Sequence, residues 1–147
     1  MTAGKIPVCI VVLGLALGVA GCGSMQSSAG LIDQLGANAQ LKALSDAFVN
    51  NAASDPRSSK LLSGANLGAL KTKVSDEFCA TVGGGCAAPL TSAQITEAGK
   101  KVDASTSSAL TDSLTKALDA IKASPVVKES VTKLLGPQLG GIVAGLV

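Results

Sequence analysis

Three observations predict an all-α fold for this 147-residue chain. Apolar residues recur at steps of three and four through most of its length. Asn66, Thr91 and Ser124 each stand where a helix would take an N-cap, just before such a stripe. No stretch of useful length alternates apolar and polar residues as a half-buried strand would.

The first stripe is Leu31, Leu35, Leu41, Leu44 and Phe48, which Gly36 and Asn38 divide into two short helices. The second of these ends near Asn50–Ser54, because Asp55 precedes Pro56 and a pre-proline residue is biased out of helix. From Asn66 to about Val82, Leu67, Leu70, Val74 and Phe78 share one face, and Lys71, Lys73, Asp76 and Glu77 take the solvated side. Gly83-Gly84-Gly85 stops that helix. Thr91 and Gln94 have the spacing of a capping box, opening a short helix that Gly99 interrupts. The next helix starts within Ser105–Ser108 and carries Leu110, Leu114, Leu118 and Ile121. Ser124-Pro125 restarts the chain as N-cap and first helical residue, ahead of Val127, Val131, Leu134 and Leu135. Gly136-Pro137 closes or kinks this segment. The apolar, glycine-rich tail from Leu139 to Val147 is too short to span a bilayer and is expected to close the core.

Composition removes several function classes. Twelve basic and ten acidic residues nearly cancel, and no basic cluster is interleaved with aromatics, so nucleic-acid binding is not expected. The chain has no histidine, and hence no imidazole acid, base or metal ligand. Serine, aspartate and lysine are plentiful, but none is paired in sequence with an activator; no catalytic residue is assigned and no enzyme is expected. Phe48 and Phe78 are the only aromatics, so the core must be built from Leu, Val, Ile and Ala.

At the other end of the sequence, Lys5 precedes an apolar run over residues 6–18, and Val19-Ala20-Gly21-Cys22 follows. The pattern reads as a secretory signal over residues 1–21, and the tetrapeptide resembles the lipobox of bacterial lipoproteins. The resemblance implies cleavage before Cys22 and attachment of a diacylglycerol to its sulfur. It places the chain at the cell envelope, anchored to a membrane and facing the periplasm or the exterior. Gly23-Ser24 lacks the acidic residue that favours inner-membrane retention in such proteins, which slightly favours the outer membrane. Residues 22–30 then form a small, polar, lipidated tether ahead of a domain over residues 31–147. With Cys9 in the signal and Cys22 acylated, Cys79 and Cys86 remain. A disulfide is the expected state outside the cytoplasm; a paired soft-metal site is the alternative, with no further His or Cys to complete it.

The order of elements and several residues resemble group I truncated haemoglobins. The matching positions are Leu35-Gly36, Leu41 to Phe48, Asp55-Pro56-Arg57, Gly64, Leu70-Lys71, the Cys79/Cys86 pair, Leu90-Thr91 and Glu97-Ala98. The resemblance implies a short globin fold holding haem between facing helices. The chain departs from the family where the haem would be held. Gly99 stands at the proximal histidine, Val49 at the distal tyrosine, Leu61-Leu62 at a haem-packing phenylalanine, and Lys73 and Val74 at distal polar positions. Haem iron needs an axial donor. Only Lys73, Lys100 or Lys101 in neutral form, or a reduced cysteine, could provide one, so no cofactor is expected. An unfilled haem pocket would cost many kcal/mol at ~24 cal/mol per Å³; the space must collapse or hold another apolar molecule.

The resulting expectation is a membrane-anchored lipoprotein with a truncated-globin-like, non-haem domain in a binding or structural role. One alternative is a haem- or oxygen-binding globin with unusual ligation. The other is a carrier of a small apolar ligand, in a pocket lined by Phe48, Leu62, Leu70, Val74 and Phe78. The partners expected are the membrane, through the lipid anchor, and either a protein partner or a small apolar ligand.

Overall fold

A computed structural model describes residues 28–147. The signal segment, Cys9 and Cys22 therefore lie outside the described residues. Among those described the fold is all-helical, without strands. The helices are α1 (Ser28–Gln34), α2 (Ala37–Ser54), α3 (Pro56–Ser59) and α4 (Leu67–Thr81), followed by α5 (Ser92–Gly99), α6 (Ala104–Ala120), α7 (Pro125–Leu135) and α8 (Leu139–Leu146). A 3₁₀ turn, Gly136–Gln138, joins the last two.

The punctuation follows from local chemistry. Gly36, at φ 80°, separates α1 from α2; α1 begins at Ser28, inside the stretch expected to be tether, and α2 runs for 18 residues rather than as a short helix. Asn66 caps α4 by accepting from the Ala69 amide at 3.1 Å. Thr91 and Gln94 form the full capping box on α5, and Ser124 caps α7 with Pro125 in the first turn. The start of α6 differs from expectation: Asp103 is the cap, accepting from the Thr106 amide at 2.7 Å, and the helix begins at Ala104. At the end of α4, Gly83 adopts φ 83° and the Gly84 amide donates back to the Cys79 carbonyl at 2.7 Å. The end of α6 has the equivalent returning bond, from the Ala123 amide to the Leu118 carbonyl at 3.0 Å, but there the left-handed residue is Lys122 at φ 55°.

In the core, α2 packs on both α4 and α6, and α5 packs on α8, which in turn meets α4 and α6. The stripes Leu41–Leu44–Phe48, Leu70–Val74–Phe78, Leu110–Leu114–Leu118 and Val127–Val131–Leu135 are buried together. Ile121 and Leu134 pack at the edge of that cluster. The tail closes the core: Leu139, Ile142 and Val143 of α8 are all buried.

Glycines decide how closely α8 can approach. A Cβ on Gly141 would overlap the Ile95 carbonyl oxygen, and one on Gly145 would stand 2.8 Å from Leu90 Cδ1. Gly99, on the facing helix, would place a Cβ 3.5 Å from the Gly141 Cα. The crossing is thus backbone against backbone. Gly141→Ala should destabilise the domain by about 1–3 kcal/mol through overpacking, read as a lower midpoint in urea with an unchanged slope; an unaltered midpoint would show that α8 can withdraw freely.

Candidate functional site

Phe48 and Phe78 come from α2 and α4, and their rings meet at 5.5 Å between centroids, tilted by 52°. Leu62, Leu70 and Val74 close around the same cluster, and all five residues expected to line a ligand space are at most 5% exposed. They are brought together as a packed core, and none of them lines the surface clefts described below. Val49, at the position the resemblance gives to a distal tyrosine, is also buried in this cluster.

Gly99 ends α5 and faces α8 at the crossing described above. A Cβ there would touch the Gly141 main chain at 3.5–3.6 Å, an ordinary van der Waals contact. Beside this contact lies a 420 Å³ cleft lined by Ile95, Thr96, Gly99, Pro137, Gln138 and Gly141, among others. Of the candidate nitrogen donors Lys73, Lys100 and Lys101, Lys100 alone lines this cleft. Lys73 is exposed on α4, Lys101 is exposed in the loop after α5, and Lys100 is exposed and ion-paired with Glu97 at 2.6 Å. Among the described residues no group of three or more His, Cys, Asp or Glu could hold a metal ion.

Cys79 and Cys86 are joined by a disulfide, with Cα atoms 5.6 Å apart. The chain-entropy estimate for so short a loop is ~2.5 kcal/mol of stabilisation. Both cysteines line a 570 Å³ cleft between α2 and α4, whose walls carry Lys42, Asp46, Lys71 and Asp76. On α4 as well, Glu77 departs from its expected place on the solvated face and is 2% exposed. Its carboxylate accepts from the Leu90 amide at 3.0 Å, tying the loop after the disulfide onto α4. Sequence reasoning missed this residue because Glu77 adjoins Phe78 at the edge of the apolar stripe, where helical spacing leaves burial open.

The Asp55-Pro56-Arg57 segment forms a polar corner. Asp55 accepts from the Arg57 amide at 2.9 Å and from its guanidinium at 2.7 and 3.1 Å, and Arg57 reaches on to Asp112 of α6 at 3.0 Å. The Thr106 hydroxyl donates to the Arg57 carbonyl at 3.0 Å. The side-chain hydrogen bonds from Arg57, then its backbone amide, hold the Asp55 carboxyl down at about 2. The Thr106 amide, then its hydroxyl, likewise lower Asp103. These carboxylates serve as helix caps and as a tie between the corner and α6.

Two outcomes test this reading. Phe48→Ala should cost about 3–5 kcal/mol of stability if the ring fills a closed core; chemical denaturation showing a loss well under that would mean that the ring borders open space. Because Asp55 titrates lower folded than unfolded, its contribution is present above about pH 4 and lost as pH falls toward about 2, and the lowered Asp103 acts in the same direction. Thermal melts between pH 5 and 2 should show the decline, and Asp55→Asn should flatten it; an equally steep decline in the variant would assign it elsewhere. Neither a protein-family model nor a curated protein matches the chain.

Proposed function

We propose that this chain is a membrane-anchored lipoprotein whose helical domain is truncated-globin-like in shape and serves a binding or structural role without haem. The observation that carries the anchor is the sequence Val19-Ala20-Gly21-Cys22 after an apolar run led by Lys5. None of the helices described is long and apolar enough to cross a membrane, so those helices supply no span of their own. In this reading the lipid on Cys22 holds the domain at the cell envelope, on the periplasmic or outer side.

The residues present do not fit a haem. The position the resemblance gives to the axial ligand falls on Gly99, which has no side chain to offer iron. The five residues expected to line an apolar ligand space, Phe48, Leu62, Leu70, Val74 and Phe78, belong to one buried cluster. Loss of the ligand and closure of the space go together: removing an aromatic plate from a globin leaves a void that packing must eliminate. In this reading the small residues Gly99 and Gly141, which let α5 and α8 meet backbone to backbone, serve that closure.

The purified full chain should be colourless, and addition of hemin should give no saturable Soret band. A one-to-one titration with a sharp Soret maximum would overturn the non-haem reading. The anchor is tested separately by metabolic labelling with a radioactive fatty acid. Label should enter the chain and partition with it into detergent, and Cys22→Ala should abolish both; label retained in that variant would remove the lipoprotein assignment.

A further inference from the structure

The two halves of the disulfide are unequally placed. Cys79 lies in the last turns of α4 and is 2% exposed, whereas Cys86 is half-buried in the loop beyond. Both face the open 570 Å³ cleft, which is wide enough for a small thiol. Lys42 and Lys71 on its walls offset Asp46 and Asp76, so an approaching thiolate meets no net repulsion. The loop that carries Cys86 is also fastened independently of the sulfurs. The Gly84 amide holds it to the Cys79 carbonyl at 2.7 Å, and Glu77 holds its far end at the Leu90 amide, 3.0 Å away.

We propose that Cys79–Cys86 is a thiol-exchange site, opened by a low-molecular-weight dithiol that enters the α2–α4 cleft and attacks Cys86. One thiolate of the dithiol bonds to Cys86 Sγ as the Cys79–Cys86 bond breaks. The electron pair leaves on Cys79 Sγ, which takes a proton from water. The second thiol of the reagent, as its thiolate, then attacks its own sulfur in the mixed disulfide and departs as a cyclic disulfide, releasing Cys86 as a thiol. The protein disulfide gains two electrons and the dithiol loses two. Because Glu77 and the Gly84 amide still hold the loop, the exchange is a local opening and leaves the helical core folded. The proposal holds whether or not Cys22 is acylated.

The test uses the detergent-solubilised full chain under native conditions with dithiothreitol. Samples are alkylated at intervals and digested, so that Cys79 and Cys86 are read apart from Cys9 and Cys22. Reduction should proceed within about a hundredfold of the rate measured in guanidinium, with the far-ultraviolet helical signal retained. A native rate slower than that, or loss of helix in step with reduction, would overturn the proposal by showing that exchange waits for unfolding. In a second arm, glutathione replaces the dithiol and the trapped mixed disulfide is mapped. It should sit on Cys86; finding it on Cys79 would overturn the direction of attack.

Discussion

The contact between the backbones of α5 and α8 is the constraint on which the rest of the fold depends. Interiors are packed to near-crystalline density, and this chain must reach that density with only two aromatic side chains. It does so by thinning one crossing to bare main chain. Gly141 and Gly145 lie one turn apart on α8, and Gly99 stands opposite. Once α8 is seated there, its other side chains are delivered to the shared core: Leu139, Ile142 and Val143 are all buried. An almost wholly apolar helix of eight residues is stable only in such a place, because it has no polar face to offer water.

Most of the helical plan was legible in the sequence because it rests on local chemistry. The stripe Leu70–Val74–Phe78 and the caps at Asn66, Thr91 and Ser124 each require only a few neighbouring residues to be recognised. The features that escaped depend on partners distant along the chain or on backbone conformation. Asp103 caps α6 where a start among the following serines was expected, since Ser, Thr and Asp compete for the same role. Lys122 ends α6 in a conformation usually left to glycine. Glu77 is buried because the Leu90 amide, thirteen residues onward, needs an acceptor. In the sequence Gly99 signals only a missing ligand; its close approach to Gly141 depends on which helix faces it.

These two views of Gly99 are complementary. As a sequence position it marks what the chain lacks relative to the family it resembles. As a structural position it marks what the chain has, a surface flat enough for another backbone. The same dual reading applies to Asp55-Pro56-Arg57, which carries part of the resemblance. Here the aspartate caps α3, the arginine bridges to α6 through Asp112, and Thr106 of α6 bonds the arginine carbonyl. Those bonds explain why such a segment suits a helical corner whatever the domain binds.

The tilted pair of Phe48 and Phe78 has an optical consequence. With neither tryptophan nor tyrosine in the chain, these two rings are its only aromatic chromophores. Both are fully buried and in contact, 5.5 Å apart. Sharp near-ultraviolet dichroism from this protein, set above the broad band of a disulfide, therefore originates at a single point where α2 crosses α4. A change in those bands reports the packing of that one crossing, while the far-ultraviolet signal reports all the helices together. The chain thus carries a built-in probe of its own core, and its near-absence of absorbance at 280 nm leaves any bound chromophore unobscured.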